Sequence, residues 1–227
     1  MEINLSNGGI LSPSVMCADL INLENDIEIL KNNGVEYLHV DFMDNKFVSN
    51  ITFGADTVRA LKDVCGMHRD IHVMAQNPVQ YFDKMDVGET DIVAVHYESC
   101  LENTENVLKD IHSRGALAFL AISPDTSVKT ARKFFEHIDG VLLMSVYPGF
   151  AGRPMVPGSF ERISELRKYI DEYGKKIALE IDGNVSWENA PIMRENGADM
   201  FVAGSSSIYQ KNTDLSENIK RFLELVK

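Results

Sequence analysis

Short apolar segments recur along the chain and alternate with segments of helical periodicity. The apolar segments are rich in β-branched or aliphatic residues, which is typical of buried strands. They occupy residues 10–16, 37–42, 69–74, 91–96, 117–122, 140–146, 177–182 and 200–203. Helical patterns lie between them at 23–34, 102–115 and 159–174, and a last helix is predicted at 214–227. Gly34, Gly115 and Gly174 end three of these patterns, where a left-handed C-cap is expected.

The spacing of the strands predicts a parallel sheet. Successive strand starts lie about 22–37 residues apart, which is enough for one strand, one helix and two short connections. Eight such units favour an α/β fold of the closed (β/α)₈ type, the TIM barrel, over an open doubly wound sheet, which is the alternative. Because no linker or low-complexity run interrupts the pattern, residues 1–227 are expected to form a single domain.

The second predicted strand, within "EYLHVDFMDNKF" (36–47), carries polar residues on one of its faces. Leu38, Val40 and Phe42 share one face of an extended chain, and His39 and Asp41 lie on the other. An imidazole and a carboxylate two residues apart on an inward face are either a satisfied polar pair in the core or the ligands of an ion.

The third and seventh strands repeat this arrangement. His72 points inward in "DIHVM" and Asp182 in "IALEIDGN", and both stand near the carboxyl end of their strand, where TIM barrels gather their chemistry. A single histidine at a strand end is more often a packing or capping residue, but four polar residues of matching parity favour a site. His39, Asp41, His72 and Asp182 therefore predict a ring of two nitrogens and two oxygens, which suits Zn²⁺, Fe²⁺, Mn²⁺ or Co²⁺.

Two glycine-containing loops complete the predicted site. "SVYPGFAGR" (145–153) follows the sixth strand, and "AGSSSIY" (203–209) joins the eighth strand to a helical start. Backbone N–H groups at Gly152, Gly183, Gly204 and Ser205 could surround a phosphate, which is the usual role of the loops after strands seven and eight. The glycines alone are a weak turn signal, and their position after barrel strands gives them weight.

Two further buried residues have alternative interpretations. Glu180 lies one inward layer below Asp182, so it either donates or accepts a hydrogen bond with a ligand histidine or is a structural acid of the core. His96 ends the fourth strand and is expected to be a packing residue near the site.

Composition and charge restrict the partners. A net charge of −12 argues against nucleic-acid and anionic-membrane surfaces, because both require clustered Lys and Arg. A small anionic substrate stays compatible if backbone dipoles hold it. Neither a signal peptide nor a run of about 18 apolar residues is present, so a cytoplasmic protein is expected. Cys17, Cys65 and Cys100 have no CxxC spacing and are predicted to be free thiols.

Six motifs, in order over nearly the whole chain, resemble the ribulose-phosphate 3-epimerase family. They are "LSPSVMCADL", "HVDFMDNKFVSNITFG", "DIHVM", "VLLMSVYPGFAG", "EIDGNV" and "GADMFVAGSS". The resemblance implies a (β/α)₈ barrel with one divalent metal ion (Zn²⁺, Fe²⁺, Mn²⁺, Co²⁺ or Mg²⁺). It also implies a homo-oligomer that acts on a small anionic sugar phosphate, most directly D-ribulose 5-phosphate to D-xylulose 5-phosphate.

By position, the resemblance makes His39, Asp41, His72 and Asp182 the metal ligands, with Asp41 as general base and Asp182 as general acid. The implied substrate contacts are Ser14, His72, Gly149, Phe150, Ala151, Gly152, Gly183, Asn184, Gly204 and Ser205. The residues suit this chemistry, because inversion beside a ketone needs a base, an acid on the opposite face and a metal-stabilised enediolate.

The chain departs from the family pattern near the predicted phosphate. It reads Asp182-Gly183-Asn184 where the family usually has "DGG", and "PGFAGRP" in place of "PGFGGQ". Arg153 in the second motif either contacts the phosphate or is a solvated loop residue. These changes leave the four ligands intact and bear on substrate length. "SPSVMC" and "PGFAG" are also similar to the allulose-6-phosphate 3-epimerase branch, so allulose 6-phosphate is the alternative substrate.

Two other classes are weighed against this interpretation. The orotidylate decarboxylase and hexulose-phosphate synthase group shares the barrel but needs a lysine in an Asp-x-Lys motif, and Met43 occupies that position after Asp41. A non-catalytic sugar-phosphate-binding barrel is the more distant alternative. It has no need of two carboxylates, so the intact pair of Asp41 and Asp182 counts against it.

Overall fold

Eight parallel strands form the centre of the molecule in the computed structural model, which describes residues 3–5 and 8–227, the side chains of 63–65 excepted. The strand order is β1-β8-β7-β6-β5-β4-β3-β2. In chain order from β1 to β8, the strands are Ile10–Pro13, Tyr37–Met43, His68–Met74, Ile92–His96, Leu117–Ile122, Gly140–Met144, Ala178–Asp182 and Met200–Ala203.

The sheet closes on itself. Each strand from β2 to β7 pairs in parallel with the next, and β8 pairs in parallel with β1. The remaining gap between β1 and β2 is joined by a parallel bridge between Ser14 and His39. The predicted (β/α)₈ barrel is therefore confirmed, and the open doubly wound alternative is wrong.

Helices connect most successive strands. From α1 to α8 they are Leu23–Asn32, Ala55–Cys65, Val79–Phe82, Tyr97–Cys100, Thr104–Ser113, Ser159–Tyr173, Asn189–Glu195 and Leu215–Leu225. Three 3₁₀ helices, Val15–Cys17, Leu101–Asn103 and Val128–His137, supplement them, the last as the connection between β5 and β6. The four predicted helices are present, and Gly34, Gly115 and Gly174 have φ angles of 77°, 82° and 77°, as left-handed caps require.

Strands β1 and β6 end earlier than predicted. The sequence pattern extends them to residues 16 and 146, whereas they end at Pro13 and Met144. After β1 the backbone N–H of Cys17 donates to the carbonyl of Ser14, which turns the chain at the barrel mouth. The apolar residues that prolong the pattern, Met16 and Val146, instead line a cavity at that mouth.

Alternation along the strands divides the core into two layers. Leu38, Ile71 and Leu179 are buried between the barrel and its helices. Side chains of opposite parity, such as Phe119 and Leu142, fill the barrel interior. Polar side chains of that inward parity occur toward the carboxyl ends of β2, β3, β4 and β7, so the fold directs them to one place.

The structure bears on two predictions, the free cysteine thiols and the cytoplasmic location. Cys17 and Cys100 are free thiols, and the side chain of Cys65 lies outside the described residues. Within the described part of the chain, every helix is too short or too polar to cross a lipid bilayer. The cytoplasmic location stays a prediction.

Candidate active site and metal centre

The four predicted ligands meet at the carboxyl ends of three strands. His39 and Asp41 come from β2, His72 from β3 and Asp182 from β7, and one ligand atom of each lies within 4.8 Å of the others. His39 Nε2 is 3.4 Å from Asp41 Oδ1, and His72 Nδ1 is 3.3 Å from the same oxygen and 3.4 Å from Asp182 Oδ2. The inward parity predicted for these residues is what brings them together.

Two imidazole nitrogens of this group lack a hydrogen-bond partner. His39 Nε2 and His72 Nδ1 are buried and unpaired among the described residues, although both face carboxylate oxygens. Buried polar atoms are normally satisfied, so an unpaired nitrogen beside two acids indicates a missing partner. Two imidazole nitrogens and two carboxylate oxygens fit a divalent transition metal ion, and His39, Asp41, His72 and Asp182 could hold one.

Asp70 orients His39 from below. Asp70 Oδ2 accepts hydrogen bonds from His39 Nδ1 at 2.6 Å and from the Ser12 hydroxyl at 2.7 Å. Burial alone would raise the pKa of Asp70, but His39 outweighs it and the pKa is lowered. An ionised carboxylate only accepts, so His39 donates a proton from Nδ1 to Asp70, and this hydrogen bond turns Nε2 toward the candidate metal centre.

Glu180 is a structural acid, not a partner of a ligand histidine. Its Oε1 atom lies 4.0 Å from His39 Nδ1, too far for a hydrogen bond, and Asp70 occupies that position instead. Burial and the neighbouring charge of Asp70 raise the pKa of Glu180 well above its ordinary value. The hydrogen-bonding interpretation of Glu180 is therefore wrong, and the alternative holds. Asp70 has the same inward parity as His72, which is the signal that could have identified it.

Asp41 is held as a carboxylate. Desolvation opposes its ionisation, but the imidazoles of His39 and His72 outweigh that cost and lower the pKa of Asp41. The Ser14 hydroxyl donates to Asp41 Oδ2 at 2.7 Å, and the Thr52 hydroxyl donates to the backbone carbonyl of Asp41. Ser14, a predicted substrate contact, thus lies directly beside the candidate base.

The imidazoles respond to the same acids. Burial disfavours the charged form of His39, but Asp70 and Asp41 raise its pKa well above the ordinary value. Hydrogen bonds to Asp182 and Asp41 likewise overcome burial and raise the pKa of His72. The site thus attracts positive charge, which a bound cation would supply.

A cavity at the barrel mouth opens above these acids. Asp41 and Asp182 line it, whereas His72 is fully buried behind them and is not part of the lining. The other predicted substrate contacts all line this cavity: Ser14, Gly149, Phe150, Ala151, Gly152, Gly183, Asn184, Gly204 and Ser205. Met43 and Met74 form a buried cluster with Val48, and both methionines also line the cavity.

Gly183 allows the connections after β6 and β7 to lie against each other. Its φ is 117°, and a Cβ atom there would come within 2.8 Å of the backbone nitrogen of Val146. Ser145 joins the same two connections, since its N–H donates to the carbonyl of Asp182 at 2.8 Å and its hydroxyl to that of Gly183. This close contact fixes the backbone beside Asp182 at the wall of the cavity.

Asn184 occupies a left-handed conformation, with φ of 45°. Asparagine tolerates this region better than most residues, which explains how it stands where the family pattern has glycine. Its side chain donates to the carbonyl of Arg153 at 3.0 Å and accepts from Asn189 at 2.9 Å. Arg153 is exposed, and its guanidinium lies 5.0 Å from the centre of the Phe150 ring at the edge of the cavity.

His96 was expected to be a packing residue, and the structure gives it a larger part. It is fully buried, and its Nε2 lies 2.9 Å from Nε2 of His72. Its Nδ1 lies 3.1 Å from Glu98 Oε2. Burial lowers the pKa of His96, which keeps the imidazole neutral. The signal for this role is parity, because His96 shares the inward face of β4 with Ile92 and Ala94.

Comparison with known proteins identifies a family model and several relatives that carry the same family description. A family model described as the ribulose-phosphate 3 epimerase family matches residues 10–209. The ribulose-phosphate 3-epimerase of Bacillus subtilis is 36% identical over 199 residues, covering 86% of this chain and 90% of that protein. That of Chlamydia trachomatis is 32% identical over 220 residues, covering 96% of this chain and 94% of that protein. The chloroplastic ribulose-5-phosphate-3-epimerase of Arabidopsis thaliana is 35% identical over 212 residues, covering 93% and 75%.

Solved structures agree on the architecture. Tryptophan synthase of Mycobacterium tuberculosis superposes with a TM-score of 0.66 at 13% identity, covering 100% of this chain and 99% of that one. Thiamine phosphate pyrophosphorylase of Pyrococcus furiosus gives a TM-score of 0.64 at 14% identity, covering 98% of both chains. At such low identity the likeness establishes the fold alone.

Proposed function

The chain belongs to the ribulose-phosphate 3-epimerase family, and from that premise we propose that it is a metal-dependent isomerase that converts D-ribulose 5-phosphate to D-xylulose 5-phosphate. The observation that carries the proposal is the pair of carboxylates, Asp41 and Asp182. They face one imidazole nitrogen of His72 from two strands that β1 and β8 separate in the barrel. A binding protein that only recognised a sugar phosphate would not need two such acids.

The phosphate would bind to backbone dipoles. The chain has a net charge of −12, so long-range attraction does not draw a dianion to it. The loops at Gly149–Gly152, Gly183–Asn184 and Gly204–Ser205 all line the cavity, and the glycines in them allow a ligand to approach the backbone closely. N–H groups of this kind are a common means of binding phosphate in barrels of this type.

Proton transfer is assigned to the two acids. Asp41, which is held as a carboxylate, takes the proton from carbon 3; the electrons of that C–H bond form a double bond between carbons 2 and 3, and the π electrons of the carbonyl move to its oxygen, which gives the enediolate. Asp182, entering this step as the protonated carboxylic acid, then gives its proton to carbon 3 on the opposite face; the double-bond electrons form the new C–H bond, the carbonyl re-forms at carbon 2, and the centre is inverted. In the reverse direction the two residues exchange roles.

His39, Asp41, His72 and Asp182 would hold one divalent ion, with Asp70 fixing the orientation of His39. When bound, such an ion supplies Lewis-acid stabilisation of the negative charge that develops on the substrate oxygens. Ser14 supports Asp41 by donating to its second oxygen, Oδ2, so that Oδ1 remains directed at the imidazoles. The homo-oligomeric state implied by the resemblance stays a prediction.

The substrate is tested by comparing specificity constants, kcat/KM, for D-ribulose 5-phosphate and D-allulose 6-phosphate. We expect the five-carbon substrate to be preferred. Asn184 lines the cavity where the family pattern has a glycine, so the length of the substrate requires its own test. A higher kcat/KM for allulose 6-phosphate would move the assignment to that branch. Binding of both compounds without turnover of either would instead support a non-catalytic barrel.

A further inference from the structure

A hydrogen-bonded relay of three side chains, His72, His96 and Glu98, leads away from the candidate metal centre. His72 Nε2 lies 2.9 Å from His96 Nε2, and His96 Nδ1 lies 3.1 Å from Glu98 Oε2. The two imidazole rings are stacked with their centres 5.0 Å apart, and the ring of Phe47 packs against His96 at 4.8 Å. Both histidines are fully buried, so this relay lies inside the barrel.

Glu98, the last member of the relay, is held by the connection after β5. Glu98 Oε1 accepts from the backbone N–H of Ser123 at 2.9 Å and from the hydroxyl of Thr126. Arg162 of α6 in turn donates to the carbonyls of Ser123 at 3.0 Å and Thr126 at 2.9 Å. Burial opposes ionisation of Glu98, but the hydrogen bonds with His96 and Thr126 lower its pKa to about 2. Glu98 is therefore a carboxylate with both oxygens engaged.

The ionised Glu98 determines which nitrogen carries the proton in His96 and in His72. A carboxylate only accepts, so the 3.1 Å contact with Glu98 places the proton of His96 on Nδ1, and the Ser123 hydroxyl, 3.4 Å from the same nitrogen, then accepts from it as well. The Nε2 atom of a neutral imidazole protonated at Nδ1 is an acceptor, and the short contact to His72 then requires that His72 donates from Nε2. The Nδ1 atom of His72 is left to face Asp41 and Asp182.

We propose that His96 and Glu98 are positioning residues that keep a proton on Nε2 of His72 and so present its Nδ1 to the divalent ion. This inference rests on the metal site of the proposed function and deepens it. His39 receives the same support directly from Asp70, whereas His72 receives it through a second imidazole. Partners of this kind raise ligand basicity, and their loss typically weakens metal binding about 10–100-fold.

The substitution Glu98→Gln keeps the relay but reverses the direction in which His96 donates its hydrogen bond. The glutamine carbonyl keeps the hydrogen bonds from Ser123 and Thr126, so its amide NH₂ takes the place of Oε2. An NH₂ group donates to His96 Nδ1, and the proton of His96 must then sit on Nε2, where it opposes the proton of His72. We expect this variant to bind Zn²⁺ about 10–100-fold more weakly, measured by competition with a chelator.

The ¹⁵N chemical shifts of His96 provide a readout that a merely structural role would not move. We expect protonation at Nδ1 in the wild type and at Nε2 in Glu98→Gln, in both Zn²⁺-loaded and chelator-treated protein. Glu102→Gln, the same change at an exposed position four residues further along, is the matched control and should alter neither affinity nor shifts. Unchanged shifts and unchanged Zn²⁺ affinity in Glu98→Gln would overturn the proposal.

A double-mutant cycle keeps the test decisive if one variant folds poorly. His96→Phe removes the relay and preserves an aromatic ring, and we expect it to weaken Zn²⁺ binding on its own. Glu98→Gln added to His96→Phe should cause no further loss, because Glu98 acts through His96. A full additional loss would contradict the relay. Failure of the wild type to bind Zn²⁺ or to turn over substrate would defeat the proposed function, while the tautomer of His96 would still be measured independently.

Discussion

Asp41 and Asp182 are the same residue type in two different environments. The side chain of Asp41 is 5% exposed and lies between Ser14 and the two ligand imidazoles, whereas that of Asp182 is 18% exposed at the cavity wall. The imidazoles of His39 and His72 lower the pKa of Asp41 and keep it ionised. Its position against these imidazoles and Ser14 supports the assignment of Asp41 as the base of the proposed forward reaction, and the opening of Asp182 to the cavity supports its assignment as the acid.

Replacing Asp182 with asparagine tests that division of roles. Asp182→Asn preserves size and hydrogen bonding but cannot deliver a proton, so we expect kcat to fall by at least about 10²-fold to 10⁴-fold. Formation of D-xylulose 5-phosphate labelled with deuterium at carbon 3, followed by NMR in deuterated water at matched metal content, should be lost. Asp56→Asn, at an exposed position on α2, is the control. Turnover at the wild-type rate in Asp182→Asn would remove this residue from the mechanism.

Alternation along a strand predicts direction, and that is why His39, Asp41, His72 and Asp182 could be found from the sequence. Which polar residues contact one another behind that ring depends on neighbouring strands and side-chain reach. Asp70 lies beside His39 because β2 and β3 pair with those two residues in register. His72 is paired with Ala94 of β4, and His96, two residues further along on the same face of β4, reaches His72 with its side chain. Such contacts require the registers, and the sequence alone does not contain them.

At the scale of elements, the site depends on connections that contact one another. Asn50, in the connection after β2, donates from its side chain to the carbonyl of Gly149 at 2.7 Å, and Ser145 joins the connections after β6 and β7. Strand positions were predicted to within a few residues, because hydrophobic patterning specifies them. The 3₁₀ connection Val128–His137 was not predicted, because tertiary packing overrides its local sequence preferences.

Gly183→Ala tests how much the cavity depends on this contact. The backbone conformation costs about 1–3 kcal/mol for a residue with a side chain, and the added methyl group must also displace the Val146 backbone. Gly158→Ala is a matched control, since Gly158 has φ of 84° and a Cβ there meets no atom within 4 Å among the described residues. It should cost only about 1–2 kcal/mol.

The readouts for this pair are urea denaturation and KM for the phosphorylated substrate. Gly183→Ala should be the less stable variant and should raise KM, because the connection after β7 must move. Gly158→Ala should leave KM unchanged. Equal destabilisation of the two variants with equal KM would show that the close contact at Gly183 is unimportant.

At the scale of the whole molecule, the candidate ligands lie on strands far apart in sequence. Residues 39 and 182 are separated by most of the barrel, so an ion held by β2, β3 and β7 would link early and late parts of the chain. Binding to the folded state alone stabilises a protein by mass action. The closed barrel and the ion site should therefore be thermodynamically coupled.

Removal and return of metal measure this coupling. At a free Mn²⁺ concentration of 100 times Kd, we expect about 2.7 kcal/mol of stabilisation, which corresponds to a rise in Tm of roughly 5–10 °C over chelator-treated protein. Epimerase activity should be lost and regained in parallel. His72→Ala should not respond to Mn²⁺. An identical Tm with and without Mn²⁺ in the wild type, together with full activity after verified metal removal, would contradict the metal site.

The alternation of inward and outward side chains in β2 restricts how this protein can change over evolution. A one-residue deletion within Tyr37–Met43 would turn Leu38 and Val40 toward the barrel mouth and His39 and Asp41 toward the helices. A single deletion would therefore remove both the apolar packing of β2 and the candidate metal ligands. Length variation is therefore expected in the surface connections, whereas lineages should vary the barrel strands by substitution only.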